Sequence, residues 1–257
     1  MNKIKIICSD IEGCLREGDE FIPNNLTELQ KIQGYQLQAL ENPNLPPIVL
    51  CSGRGIGFIE GMLTNIGFPP TGFWSVAENG VFILDLRSNM LELNPAVNKN
   101  ILKIQKISQE VIPNLLEEIR GKKEPGKEIC ISLNPPSEMK IEKFFEIVKK
   151  RLSQFEKVIE LTHSTTAVDI TPNGANKGSG LKFAAERSGI GIENILYIGD
   201  TKGDFPAFEV AGYAACPSNA TKECKKLVRS ENGYISPFTD AKGLADIISH
   251  FTGYKFR

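Results

Sequence analysis

No C-x-x-C pair occurs among the six cysteines of this 257-residue chain, and the two histidines, His163 and His250, lie far from all of them. That spacing argues against a zinc site, so Cys8, Cys14, Cys51, Cys130, Cys216 and Cys224 read as reduced interior thiols behaving as small apolar side chains. No apolar run approaches the roughly 20 residues that span a bilayer. The start, Met1 to Ile7, reaches Asp10 without the apolar stretch and small-residue cleavage site of a secretory signal. There is no basic run, and the formal net charge is -1, so nothing draws the chain to nucleic acid or an acidic membrane. Internal repeats and low-complexity tracts are also absent. Gly53-Arg54-Gly55-Ile56-Gly57 lacks full G-x-G-x-x-G spacing, and Lys177 lacks the glycines that precede a P-loop lysine. The expectation is a cytoplasmic protein without nucleic-acid or membrane partners.

What is present is ordinary globular material, 41% hydrophobic and 24% charged, enough for one large domain or a domain carrying a smaller one. Ile4 to Cys8, Ile48 to Cys51, Ile195 to Ile198 and, more weakly, Tyr213 to Cys216 are apolar without alternation, as strands buried on both faces of a parallel sheet are. Helical spacing lies between them, marked by Leu26, Leu29, Leu37 and Leu40, and by Leu181, Ala184 and Ala185. Strands alternating with helices predict a doubly wound parallel-sheet α/β core.

The middle of the chain reads differently. Val97 to Arg120 has the pattern of an amphipathic helix that Pro113 should kink or split. Glu128 to Leu133, Val158 to Leu161 and Ala167 to Thr171 read as strands, and Ile141, Phe144, Val148, Leu152 and Phe155 fall at helical spacing. This is an inserted α+β domain bracketed by Asn94-Pro95 and Thr171-Pro172-Asn173-Gly174. The chain then divides into core residues 1–93, an insert at 94–167 and returning core at 168–257.

Three buried runs end abruptly in polar residues, at Asp10 and Glu12, at Ser52, and at Asp200. Ligands of open parallel sheets sit outside the carboxyl ends of the strands, so these separate places converge. Asp10, Glu12, Asp200 and Asp204 bring carboxylates whose mutual repulsion calls for a cation. All-oxygen ligation favours a hard ion such as Mg2+. Lys177 supplies a point charge for a phosphate oxygen, and Ser52 with Gly53 offers a hydroxyl and backbone amides. A carboxylate nucleophile, a metal, a lysine and a hydroxyl are the parts of phosphoryl transfer through an aspartyl-phosphate.

These residues resemble the motifs of the haloacid dehalogenase superfamily of phosphohydrolases, in particular the branch with a large cap that includes Cof-like and sucrose-phosphate phosphatase-like proteins. Asp10-Ile11-Glu12-Gly13-Cys14-Leu15 is similar to the first motif, Asp-x-Asp-Gly-Thr-Leu. Leu50-Cys51-Ser52-Gly53-Arg54 resembles the second, Lys177-Gly178 the third, and Gly199-Asp200-Thr201-Lys202-Gly203-Asp204 the fourth. Ala77-Glu78-Asn79-Gly80 is similar to an Asn-Gly signature before the cap. The resemblance covers the chain nearly end to end and in order.

It implies that Asp10 attacks phosphorus and also binds Mg2+, and that Glu12 is the general acid/base with its carbonyl on the metal. It further implies that Ser52 and Gly53 bind the phosphoryl group and that Lys177 pairs with Asp10 and the phosphate. Asp200 completes the metal shell, and Asp204 orients Lys177 or a metal-bound water. Asn79 is a supporting residue, and Arg54 either supports the loop or touches substrate. The implied substrate is a small phosphorylated metabolite, foremost a sugar phosphate. A phosphotransferase or mutase using the same Asp10, and a non-catalytic metabolite-binding protein, are the alternatives. Three positions depart from the pattern: Glu12 for Asp, Cys14 for Thr and Gly203 for Asn.

Overall fold

The computed structural model describes residues 4–18, 23–164 and 166–256. In chain order its strands are β1 (Ile6–Ser9), β2 (Ile48–Leu50), β3 (Ser75–Ala77), β4 (Phe82–Asp85), β5 (Met90–Leu93) and β6 (Lys122–Lys123), followed by β7 (Ile131–Asn134), β8 (Ile159–His163), β9 (Val168–Pro172), β10 (Ile195–Ile198), β11 (Tyr213–Cys216) and β12 (Tyr234–Ile235). The central sheet is parallel throughout, in the order β12-β11-β10-β1-β2. Beyond β2 a single bridge, Cys51 to Val76, joins it to the antiparallel sheet β3-β4-β5.

The unbroken apolar runs follow from helices on both faces. On one face Ile7, Ile48, Leu50, Leu196 and Ile198 pack with the helices Leu26–Glu41, Ile56–Ile66 and Asp240–Thr252. On the other, Ile6, Cys8, Val49, Cys51, Ile195 and Tyr197 pack with Leu181, Ala184 and Ala185 of the helix Lys177–Arg187, and with Cys224 and Val228. Each fully buried aliphatic side chain contributes roughly 1.5–3 kcal/mol, so neither face tolerates polar alternation. All six cysteines are free and buried. No helix of the described residues is long and apolar enough to cross a membrane.

Two expectations change at this level. In the first helix Leu26 and Leu37 are exposed; the buried face is Leu29, Ile32, Tyr35, Gln36 and Ala39. Gln36 is inside because its amide caps the edge of β2, donating to the Ile48 carbonyl at 2.9 Å and accepting from the Ile48 amide at 2.8 Å. A polar residue that completes a sheet edge therefore shares the buried face with Leu29, Ile32, Tyr35 and Ala39.

The second change concerns the inserted unit. Its sheet runs β6-β7-β9-β8, fully antiparallel, and β9 is hydrogen-bonded inside it between β7 and β8. A boundary at 167/168 would cut β9 from both partners, so the insert continues through Pro172. Its helical side is Ile101–Lys106, a wide π turn at Ile107–Val111, then Ile112–Ile119 and Ile141–Leu152. The π turn abuts Pro113: the helix absorbs the missing amide donor by widening the preceding turn rather than breaking. Phe144, Val148 and Leu152 face the sheet, as their spacing predicts.

The helix Lys177–Arg187 begins with a reciprocal cap, Asn176 Oδ1 accepting from Ser179 N at 2.8 Å and Ser179 Oγ from Asn176 N at 3.1 Å. Its fourth residue, Gly180, presses against the core so closely that a Cβ would sit 2.5 Å from Gly80 Cα and 2.6 Å from Val76 Cγ1. Backbone on the opposing side cannot yield. Gly180→Ala is expected to lower stability by about 1–3 kcal/mol through overpacking, measured by urea unfolding; an unchanged midpoint would show that the helix can shift away.

Candidate active site

The strand order decides where the polar residues meet. From β1 the chain first adds β2 on one side, then returns to place β10 on the other, so the topology switches direction at β1. Such a point leaves a crevice beyond the carboxyl ends of the strands. Asp10 follows β1, Ser52 follows β2 and Asp200 follows β10. Lys177 arrives from the first turn of its helix, which the reciprocal cap holds in place.

Lys177 is the hub. Its buried ammonium donates to Asp10 Oδ2 at 2.6 Å and to Asp204 Oδ1 at 2.7 Å. Burial by itself would push this ammonium down, but Asp10 and Asp204 outweigh it and hold Lys177 above its ordinary range. The other oxygen of Asp10 accepts from Ile11 N at 2.7 Å. Asp204 is saturated with donors: Tyr197 Oη joins Lys177 at Oδ1 (2.7 Å), while Asp200 N and Thr201 N reach Oδ2, each at 2.9 Å. Burial opposes its charge, yet Lys177, Tyr197 and Thr201 together lower Asp204 below the usual carboxylate range.

Asp10, Asp200 and Asp204 each place a carboxylate oxygen within 4.8 Å of the others. Three carboxylates face one ammonium, which leaves two negative charges in a buried site. Burial pushes Asp10 up, and Asp204, Asp200 and Glu12 add to this against the pull of Lys177. Asp200 is pushed up to about 7 by burial and by Asp204. This donor set, all oxygen and two charges in excess, fits a hard divalent cation. With Asp204 engaged by its own donors, Asp10 and Asp200 are the carboxylates that would hold it.

The remaining predicted residues sit around this centre. Ser52 is buried, and its hydroxyl accepts from Arg54 N at 3.2 Å. Asn79 donates its amide to the Ser52 carbonyl at 3.1 Å, and its side chain lies against Gly53. The Glu12 carboxylate lies apart from the three-carboxylate group and pairs with Arg54 Nε at 2.7 Å. Arg54 in turn lies over the Phe58 ring, 5.1 Å from its centroid. The extra methylene of glutamate is what gives this side chain its reach toward the second loop.

Two residues had no role assigned from sequence. Tyr197 stands in an apolar run and reads as core, although it is the one hydroxyl of that strand and lies two residues before Gly199-Asp200. Glu78 is fully buried with φ +49°, beside Asn79 at +54°, a region costly for residues other than glycine. Its carboxylate accepts three amides of the inserted unit, from Glu128 (2.6 Å), Ile129 (2.9 Å) and Cys130 (2.8 Å). Nothing local in the sequence signals that clamp, because all three donors lie about 50 residues away.

Two outcomes follow from these geometries. Glu78→Gln turns one acceptor into a donor facing amides, so stability should fall by about 2–4 kcal/mol. Hydrogen exchange at Glu128 to Cys130 should rise with it, and unaltered exchange there would show that Glu78 holds nothing. The second concerns pH without divalent cations. Asp200 in the folded protein keeps a proton that the unfolded chain releases at lower pH. Deprotonation therefore costs folding free energy, and the unfolding temperature should drop as pH rises from about 4 to about 7. Thermal melts in EDTA would check this: Mg2+ or Asp200→Asn should flatten the dependence, and a rise with pH would contradict the assignment.

Residues 112–248 match the family of haloacid dehalogenase-like hydrolases. Among curated relatives, the phosphoglycolate phosphatase of Methanospirillum hungatei JF-1 is 25% identical over 243 residues, 94% of either chain. That of Thermoplasma volcanium is 35% identical over 78 residues, 30% of this chain and 33% of its own. The match spans only 33% to 47% of the length of the first such relatives. Two solved structures share the fold: a haloacid dehalogenase-like hydrolase from Bacteroides thetaiotaomicron (TM-score 0.73, 16% identity, 96% and 99% of the two chains), and the sucrose-phosphatase of Synechocystis sp. PCC6803 in complex with sucrose and phosphate (TM-score 0.65, 16% identity, 98% of each chain). With more than half of its length matched and the site residues gathered at the switch point of its parallel sheet, the chain belongs to the haloacid dehalogenase-like hydrolase family.

Proposed function

We propose that the protein is a Mg2+-dependent phosphomonoesterase that uses Asp10 as nucleophile on a small phosphorylated metabolite, foremost a sugar phosphate. The observation that carries this reading is the Lys177 ammonium shared between Asp10 and Asp204. It presents a carboxylate with one oxygen fixed by Ile11 N and the other by a cation. A carboxylate held in this way is oriented for attack and cannot swing away. Lys177 neutralises charge on the incoming phosphoryl group, and Asp204, fixed by Tyr197 and two backbone amides, keeps that ammonium in place.

Ser52 contributes a hydroxyl that accepts from Arg54 N and still carries a proton to donate to a phosphoryl oxygen. Asp10 and Asp200 would hold Mg2+, which would supply charge neutralisation for the phosphate. Glu12 protonates the leaving oxygen and then takes a proton from the water that cleaves the aspartyl-phosphate. It must leave Arg54 to do so, which couples the acid/base to the second loop. Residues 94–172 act as the cap, excluding water and selecting the leaving group. The phosphatase names of the relatives support the reaction class, and a phosphotransferase would differ only in the acceptor that replaces water.

The test is phosphate release across a panel of phosphorylated sugars and organic acids. Activity should require Mg2+ and vanish in EDTA. Asp10→Asn should lower kcat by at least about 1,000-fold. Glu12→Gln should cost about 100- to 10,000-fold in turnover while binding persists. Full activity in Asp10→Asn would overturn the mechanism, and unchanged turnover in Glu12→Gln would remove Glu12 from it.

A further inference from the structure

Asp10 and Asp200 sit on different loops, so the width of the cation site depends on what holds those loops together. The first loop, after β1, is a turn closed on itself. The Ile11 carbonyl accepts from Leu15 N at 2.9 Å and from Arg16 N at 3.0 Å, and Gly13 N donates to the Arg16 carbonyl at 2.8 Å. Glu12 and Gly13 therefore belong to one tight unit. Gly13 has φ +73°, and a Cβ there would sit 2.2 Å from Asp200 Oδ2. The Asp200 carboxylate rests on that bare glycine.

Residues 217–221, which follow β11, reach both loops. Thr221 N donates to the Asp200 carbonyl at 2.8 Å. Asn219 Nδ2 donates to the Gly13 carbonyl, also at 2.8 Å. Although Asn219 is exposed, both ends of its amide are engaged. Its Oδ1 accepts at 3.1 Å from Asp240 N, one of the open donors at the start of the helix Asp240–Thr252. Its Nδ2 lies 3.4 Å from Asp240 Oδ1 as well. Asp240 is buried with φ +48°, a conformation that persists only where neighbours over-determine it. Because the Asp240 N–H can only donate, it takes the Asn219 oxygen and turns the amide nitrogen toward Gly13. A residue that merely completed the helix start would need the oxygen alone.

We infer that Asn219 is a positioning residue: it ties the turn at Glu12 and Gly13 to the segment that holds Asp200, and so fixes the separation of Asp10 from Asp200. Its effect on turnover rests on the phosphatase reading above, whereas its effect on cation binding does not. Without the bond to Gly13 the first turn is released at the point where Asp200 rests on it. Loss of such an outer contact lowers metal affinity or activity by about 10- to 100-fold.

Two variants separate this role from a purely structural one. Asn219→Ala removes the donor to Gly13 without adding charge. Asn219→Asp combined with Asp240→Asn keeps one carboxylate and one amide in the pair, and asparagine tolerates the positive φ at 240. The urea midpoint of this double variant should match the wild type, but the amide that faced Gly13 is gone. With Mg2+ and p-nitrophenyl phosphate, both variants should lose about 10- to 100-fold in kcat with KM little changed. Calorimetric titration with Mg2+ alone should show binding weakened by about tenfold or more. Wild-type kcat and Mg2+ affinity in either variant overturns the proposal. So does a loss of turnover in Asn219→Ala that only follows its loss of folded protein. Weakened Mg2+ binding in both variants, in a protein that releases phosphate from no ester, upholds the positioning role and overturns the phosphatase reading. A wild type that neither binds Mg2+ nor releases phosphate overturns both.

Discussion

Everything at the candidate site depends on one buried cation. The Lys177 ammonium sits between Asp10 and Asp204 at a helix N-terminus, where the helix dipole disfavours positive charge and burial disfavours any charge. Only two carboxylates at hydrogen-bonding distance make that position tolerable. The surrounding structure is arranged to keep them there: the Asn176–Ser179 cap starts the helix, the bare Gly180 lets it approach the core, and Tyr197 with two backbone amides holds Asp204. The same arrangement leaves Asp10 and Asp200 with uncompensated charge. That imbalance is what a divalent cation would relieve.

The turn Glu78-Asn79-Gly80 plays the corresponding part between the two units. Three consecutive residues with positive φ send one contact each in three directions. The Glu78 carboxylate takes the amides of the insert, the Asn79 amide holds the Ser52 carbonyl, and Gly80 receives the helix that carries Lys177. Backbone strain at such a turn persists only where neighbours over-determine it. A displacement of the insert therefore reaches the loop after β2 and the lysine through a single turn.

Legibility from sequence followed locality. The strands Ile48–Leu50, Ile195–Ile198 and Tyr213–Cys216 were readable because burial on both faces demands uninterrupted apolar residues, and the abrupt polar ends marked where the sheet opens. The first helix was legible as a helix, but the burial of Gln36 was not, because it caps a sheet edge that composition does not reveal. The insert was read as ending at 167, although the Pro172-Asn173-Gly174 bracket lay beyond it; strand pairing of β9 with β7 and β8 decides the matter. Glu12 was grouped with the metal-site carboxylates, whereas its extra methylene carries its charge to Arg54.

By itself, then, the sequence determined the alternation of buried strands and helices, the insertion of a second α+β unit, and the order in which Asp10, Ser52, Lys177 and Asp200 reach one sheet edge. These depend on periodicity and on residues adjacent in the chain. Tertiary structure alone decided that Tyr197 supports Asp204, that Glu78 clamps the insert, and that Asn219 joins Gly13 to Asp240. Each of those contacts that crosses from one unit or strand to another joins residues whose separation in the chain carries no pattern. Hydrogen bonds between distant groups are selected by tertiary geometry, whereas apolar periodicity is written in neighbouring residues.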